Sequence, residues 1–399
     1  MEKQSSCQIE RIDTLAQLDE LEKEWTNLVT EIPMIPVFLT WEWIRTWWEL
    51  WGQDRELWLL SARDRQGKLL GLAPLMVEIA RIGLLKIRVM AFIGSGLVSP
   101  LHLNIIAPTA LQEELLHVFE DYLLSHANRW DVINFTYVAK DSILYGQLID
   151  KGGRLRTGRQ KIAPYIALPD DWETYQKTLT KKLKRNLRYF HAKLEDDYPG
   201  QVLFGCVTED QELNSKMERL EELNKIRWHD KGAFTAFDDP VFSIFHQKIA
   251  GAALNHGWLR LYTLTVMDRI IGLFYCFRIQ DRFYAYQMAF DTAWSEYSPG
   301  RLLIAYGIQE ALREGVSELD WGPGEDEYKF AWTDQVRVEE VILLSHNWRG
   351  RFWIRSVNFM ESIKMKAKEL LPITTQKRIK LFLSGRYKAI EDRSAKDVG

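Results

Sequence analysis

Only three cysteines occur in 399 residues, Cys7, Cys206 and Cys276, far apart and without a CxxC pair. That excludes a disulfide framework and a cysteine-based zinc site, and it points to a reducing cytoplasm. Histidines are few and scattered, eight in all, so no metal is implied. No run approaches the ~18 apolar residues of a membrane span, and the opening MEKQSSCQIERID lacks the apolar core of a signal peptide. Neither sign of charge prevails: the net charge of −3 gives no global attraction to nucleic acid or membrane. Tandem short repeats and low-complexity tracts are missing too. What the chain has in excess is tryptophan, 16 residues, implying large aromatic surfaces packed between domains or lining a groove.

The length exceeds one ordinary domain, and two of about 150 to 200 residues are expected. The same order of elements is written twice. In the first half, 57–62 (LWLLSA) turns at Asp64-Arg65-Gln66-Gly67 and returns over 69–79. Two short strands, an amphipathic helix over 110–128 and a strand over 131–138 follow. In the second half, 259–266 turns at Met267-Asp268-Arg269 and returns over 270–279, before a strand at 283–290, a helix at 300–314 and a strand at 318–321. Gly71 and Gly272 hold matching places in the returning strands. This pattern predicts an α/β (α+β) protein of two duplicated units, with mixed, mostly antiparallel sheets flanked by helices. The expected division is 1–165, 166–348 and a basic tail from 349 to 399.

A helix is expected to open with Asp170 as N-cap and Glu173 in its first turn. Its apolar stripe runs Trp172, Tyr175, Leu179, Leu183, Leu187, Phe190 and Leu194. The opposite face carries Lys177, Lys181, Lys182, Lys184, Arg185, Arg188 and Lys193 without an acid, either a solvated face or a contact for phosphates. The segment Trp41, Trp43, Trp47, Trp48, Trp51 reads as a helix capped by Thr40 and packed between the domains. Residues 349–393 hold twelve Lys or Arg against four Asp or Glu, with Trp353, Val357, Met360, Ile363, Ala367 and Leu370 on one helical side. Such a tail either docks on the protein itself or meets an anionic membrane from the cytoplasmic side.

The densest signal is 282–332. An aromatic strand delivers the chain into Ser298-Pro299-Gly300 and a helix start, where free amides and the helix dipole favour an anion. One strand later come Asp320-Trp321-Gly322-Pro323-Gly324, the acids Glu325-Asp326-Glu327, and Tyr328-Lys329. These residues, with Ile226-Arg227-Trp228, the basic helix and Phe38…Trp41-Glu42-Trp43, resemble the CelD-type (cellulose-biosynthesis-associated) acyltransferases of the GNAT superfamily. That family is distantly similar to the FemABX aminoacyltransferases.

The resemblance implies two GNAT-like units and an acyl-CoA donor, usually acetyl-CoA, bound as co-substrate. It places the donor diphosphate at Ser298, Gly300, Arg301, Leu302 and Leu303. This loop departs from the superfamily signature Arg/Gln-x-x-Gly-x-Gly/Ala, reading Ser-Glu-Tyr-Ser-Pro-Gly-Arg instead. Acyl transfer to an amine needs a base, an oxyanion donor and an acid for the thiolate. Asp320 and Glu325, with Asp326 and Glu327 crowding the same turn, are the candidate bases, Tyr328 the acid, and Lys329 a charge holder. Arg227, Trp228, His229 and Tyr286 are candidates for the acceptor groove. The acceptor expected is an amine of an amino sugar, a polysaccharide precursor or another envelope-linked molecule. A FemABX-like enzyme using charged tRNA, or a non-catalytic module of a polysaccharide synthesis complex, are the alternatives; otherwise no nucleic acid partner is expected.

Overall fold

The computed structural model describes residues 7–152, 154–155 and 160–370. Within them, twelve strands form one mixed sheet. From one edge the order is Val202–Cys206, Leu259–Val266, Arg269–Ile279, Arg282–Phe290, Glu318–Asp320, Lys161–Ala167, Val336–Leu344, Val132–Ala139, Leu85–Phe92, Leu75–Ile82 and Glu56–Leu57. Arg154–Leu155 pairs beside Val336–Leu344. Gln8–Ile12, Leu59–Arg63 and Leu69–Ala73 make a separate small sheet.

Two neighbouring pairs are parallel, one in each half: Leu85–Phe92 with Val132–Ala139, and Arg282–Phe290 with Glu318–Asp320. Each is bridged by a crossover helix, Gln112–Ser125 in the first half and Pro299–Arg313 in the second, as parallel pairing demands. The duplicated α/β architecture expected from the pattern is therefore present. The two matched glycines do the same job. A Cβ on Gly71 would lie 2.6 Å from Leu115 Cδ1 of the first crossover helix, and one on Gly272 2.7 Å from Leu303 Cδ1 of the second. Each absent side chain lets a helix close onto its sheet.

Arg269–Ile279 is covered on both faces, which explains its nearly continuous apolar run. Leu273, Tyr275 and Phe277 point into one core; Phe274 and Cys276 point into the other. The tryptophan helix Trp41–Trp51 starts with Thr40 as expected, its hydroxyl accepting the Trp43 amide. Trp43 is fully buried in edge-to-face contact with Phe38 (5.0 Å), Phe245 (4.9 Å) and Tyr286 (5.8 Å). It thus joins the two halves instead of gripping a ligand.

Three local expectations change. The first returning strand breaks at Pro74, which cannot donate to a ladder, so 69–73 joins the small sheet and 75–82 the large one. The single helix expected from 170 is two, Trp172–Thr178 and Lys181–Asp197. Asp171, not Asp170, caps the first, and Thr180 caps the second after Leu179 turns extended. In the tail helix Trp348–Leu370, Trp353 and Val357 are buried against the first half, whereas Met360 and Ile363 are exposed. They do not share one face. The Ala367 and Leu370 side chains and the chain beyond Leu370 lie outside the described residues.

Gly71→Ala should cost more than Gly272→Ala. At Gly272 the clash is with a mobile leucine end, but at Gly71 the Ile106 carbonyl also lies 2.9 Å from the added carbon. Urea unfolding should read about 1–3 kcal/mol lost for Gly71→Ala and less for Gly272→Ala.

Candidate functional site

The second parallel pair runs through Arg282–Glu318, Phe283–Leu319 and Tyr284–Asp320, and then parts. Arg282–Phe290 continues, while the other chain leaves at Trp321, whose N–H donates to Pro164 O on the far side. The departing chain turns through Gly322 (φ 68°) and Gly324 (φ 123°), conformations that glycine adopts without strain. Opposite, a β-bulge leaves Tyr286 unmatched: Gln287 pairs with Tyr275 and Ala285 with Cys276. Bulges re-aim side chains beside functional sites. The Tyr286 hydroxyl donates to Val98 O at 2.9 Å, tying a loop of the first half over the gap.

The result is a cleft of about 520 Å³. Its walls combine Phe38, Leu97 and Ser99 of the first half with Arg227, Trp228 and Lys231, the strand residues Ala285 to Met288, and Trp321, Pro323, Asp326, Glu327, Tyr328 and Lys329. Tyr286 packs on one hydrophobic core and Met288 on the other, so the cleft takes lining residues from both faces of the sheet.

Five expected site residues therefore meet: Arg227, Trp228, Tyr286, Tyr328 and Lys329. Burial pushes the Tyr328 hydroxyl up to about 12, with the nearby Asp326 adding to the effect. It stays protonated at neutral pH and can serve as an acid. Lys329 is buried, its Nζ donating to Pro323 O (2.8 Å) and Gly322 O (3.3 Å), with Asp326 at 3.7 Å. Burial lowers its pKa, and Asp326 opposes the shift.

Other expected residues sit elsewhere. Asp320 is buried behind the cleft, accepting the Gly322 N–H at 2.8 Å and paired with His102 Nε2 at 2.7 Å. Burial alone would raise its pKa, but His102 and the amide hold it low, which makes it an anchor and a poor base. Glu325 is exposed and does not line the cleft; its neighbours Asp326 and Glu327 do. His229 lies outside as well, paired with Asp238 at 2.9 Å.

The helix start at 298–303 is also more closed than its sequence implies. Ser298 is left-handed (φ 52°), and its carbonyl already accepts the Arg301 and Leu302 amides. A Cβ on Gly300 would be 3.3 Å from Met288 and Phe290, and Leu302 and Leu303 are buried. Arg301 is exposed. This segment meets the cleft only through Met288, so the cations bordering the opening are Arg227, Lys231 and Lys329.

His102 was not foreseen. It is almost buried between Asp320 and Glu339, with Nδ1 2.5 Å from Glu339 Oε1. Burial opposes its charge, but the two carboxylates, Glu339 foremost, raise it to about 9. Its partners are 218 and 237 residues away, and no local signal marks it.

In the first half the equivalent parting is filled. Leu85–Phe92 and Val132–Ala139 pair only at Val89–Val132 and Met90–Ile133. Beyond that point Leu103 N–H donates to Tyr137 O, and Leu101 and Leu103 are buried. The half thus closes its own gap with chain from the same loop that overhangs the second.

Residues 181–330 match the family model described as acetyltransferase (GNAT) domain. The matched domain supports an acyltransferase, and it contains the cleft residues from Arg227 to Lys329, while Phe38, Leu97 and Ser99 lie outside it. No curated protein matches. Among solved structures, FemX is similar at a TM-score of 0.56 and 11% identity, over 85% of this chain and 98% of FemX. A conserved protein of unknown function from Bacteroides thetaiotaomicron VPI-5482 gives 0.49 and 14%, over 84% and 100% of the two chains. A tandem GNAT protein from the clavulanic acid biosynthesis pathway gives 0.43 and 10%, over 85% and 98%. At these identities the likeness is one of fold, shared with FemX over most of both chains.

The buried triad fixes a pH dependence. An unfolded histidine titrates near 6.5, and folded His102 near 9. Its stabilisation is complete below about 6.5 and is lost as pH rises through about 9. His102→Ala should cost about 3–5 kcal/mol by stranding two buried carboxylates. It should also flatten the decline in unfolding free energy between those pH values, followed by urea titration.

Proposed function

We propose that this protein transfers an acyl group, acetyl first, from acyl-coenzyme A to an amine. The observation that carries this is the cleft where Arg282–Phe290 and Glu318–Asp320 separate, inside the acetyltransferase domain. The cleft has room for a reacting donor arm beside an acceptor group, and its volume suits a pantetheine arm better than a whole coenzyme. Arg227 and Lys231 line the cleft and offer the positive charge that donor phosphates need.

The amine nitrogen attacks the thioester carbonyl, a C–N bond forms and the C–S bond breaks. Asp326 and Glu327 are the cleft-lining carboxylates in position to take the amine proton. Tyr328, protonated at neutral pH, supplies the proton that the departing thiolate needs. Lys329, held by the turn carbonyls, fixes the loop that carries both. Following the CelD-type resemblance, the acceptor we favour is an amino sugar, polysaccharide precursor or other envelope-linked amine. A charged tRNA is the second donor to consider, because Lys181, Lys182, Arg185 and Arg188 form an exposed basic face on helix Lys181–Asp197.

Millimolar acetyl-CoA should raise the melting temperature by several degrees. Calorimetric titration should give one donor per chain, since the first gap is filled by Leu101 and Leu103. Arg227→Glu should weaken donor binding about tenfold by reversing charge at the mouth. No thermal shift, combined with salt-sensitive tRNA binding, would replace the donor.

With amino sugars as acceptors, thiol release should fall about a hundredfold in Tyr328→Phe, while the acetyl-CoA thermal shift is retained. Unchanged turnover would remove Tyr328 from the chemistry.

A further inference from the structure

The tail helix Trp348–Leu370 is apolar on two opposite sides, and the fold uses one. Trp353, Ile354 and Val357 pack into a core with Ile87, Val89 and Leu343. Half a turn away, Trp348 (68% exposed), Phe352 (47%), Phe359 (66%) and Ile363 (49%) face outward. Their spacing of four, seven and four residues keeps them on one stripe. A soluble surface helix ordinarily turns polar residues to that side. The polar residues here are Arg351, Arg355 and Lys366, all exposed. Between 348 and 366 the sole acidic residue is Glu361, and it is buried.

A second element lies against the same helix. Its buried side sits on the hairpin Leu75–Ile82 and Leu85–Phe92, with Ala80, Ile82 and Leu85 in the contact, and Arg349 donates to Lys86 O. At the hairpin tip Leu84 is fully exposed, between the exposed Arg81 and Lys86.

We propose that this face docks on an anionic phospholipid surface, with Trp348, Phe352 and Phe359 entering the headgroup boundary and the arginines meeting lipid phosphates. Charge decides against the other occupant, a second copy of the chain. Two such faces would set Arg351, Arg355 and Lys366 against one another, with no exposed acid between 348 and 366 among the described residues to offset them, whereas an anionic bilayer complements them. The inference stands apart from the acyl-transfer reading. It would keep the enzyme where membrane-linked acceptors are found.

The test is co-sedimentation of the full-length protein with phosphatidylcholine vesicles, with and without about one third phosphatidylglycerol, at low and high salt. Binding should require phosphatidylglycerol and fall at high salt. Phe352→Glu with Phe359→Glu should weaken it about tenfold while leaving circular dichroism and the acetyl-CoA thermal shift unchanged, since both positions are exposed. Arg351→Glu with Arg355→Glu should remove most of the salt-sensitive part. Failure to bind, or equal binding by the phenylalanine variant, overturns the proposal. So does a concentration-dependent dimer in sedimentation velocity that the same variant dissociates, which would make the face a contact between copies.

Discussion

A strand inside a sheet cannot leave its backbone N–H and C=O groups without partners at little cost, because each buried orphan forfeits a hydrogen bond's worth of free energy. This constraint governs both halves. Each contains one parallel pair that comes apart after two or three matched residues, and in each the freed edge needs something beside it. The first half supplies its own chain, with Leu103 bonded to Tyr137. In the second, the glycine turn carries Trp321 away to bond Pro164, and a cleft remains. An extended ligand with amide groups, such as a pantetheine arm, is the kind of molecule that can complete such an edge.

Keeping that gap open falls to buried charge. His102 stands between Asp320 and Glu339, one on each side of the strand Lys161–Ala167 that separates their strands. A cation between two carboxylates, away from water, resists displacement because any single departure strands the rest. Arg282 and Arg337 form the inverse arrangement, two cations on the buried Glu318, at 2.8 and 2.5 Å. The sheet is therefore held by ionic ties where its pairing changes direction, and Asp320 serves structure more than proton transfer.

The duplication was legible because it rests on local pattern: alternating strands, turn residues, and glycines at two equivalent positions. The order of elements from 282 to 320 was legible for the same reason, whereas Tyr328 and Lys329 stood out through the family resemblance. What escaped depends on distance or on competition between local choices. His102 draws its meaning from residues more than 200 positions away. The helix expected as one piece broke at Leu179 because Thr180 offers a cap, and a hydroxyl in that position competes with continued helix. At Ser298–Leu303 the helix start was legible, but Met288 and Phe290 packed against it were not. An anion cradle needs open space as well as free amides, and open space is a tertiary property.

The filled gap and the open one also explain each other. The segment that closes the first half is continuous with Leu97 and Ser99, which wall the second half's cleft, and with Val98, whose carbonyl receives the Tyr286 hydroxyl. His102, in the same segment, is bound to the strand that ends at the cleft. A chain that had kept both openings would lack this wall, because the residues could not overhang one site while leaving the other free. Giving up the first cleft thus supplies the second with a cover, an anchor and a bulged tyrosine held in place. That is a physical reason for the second half's cleft to depend on the first half.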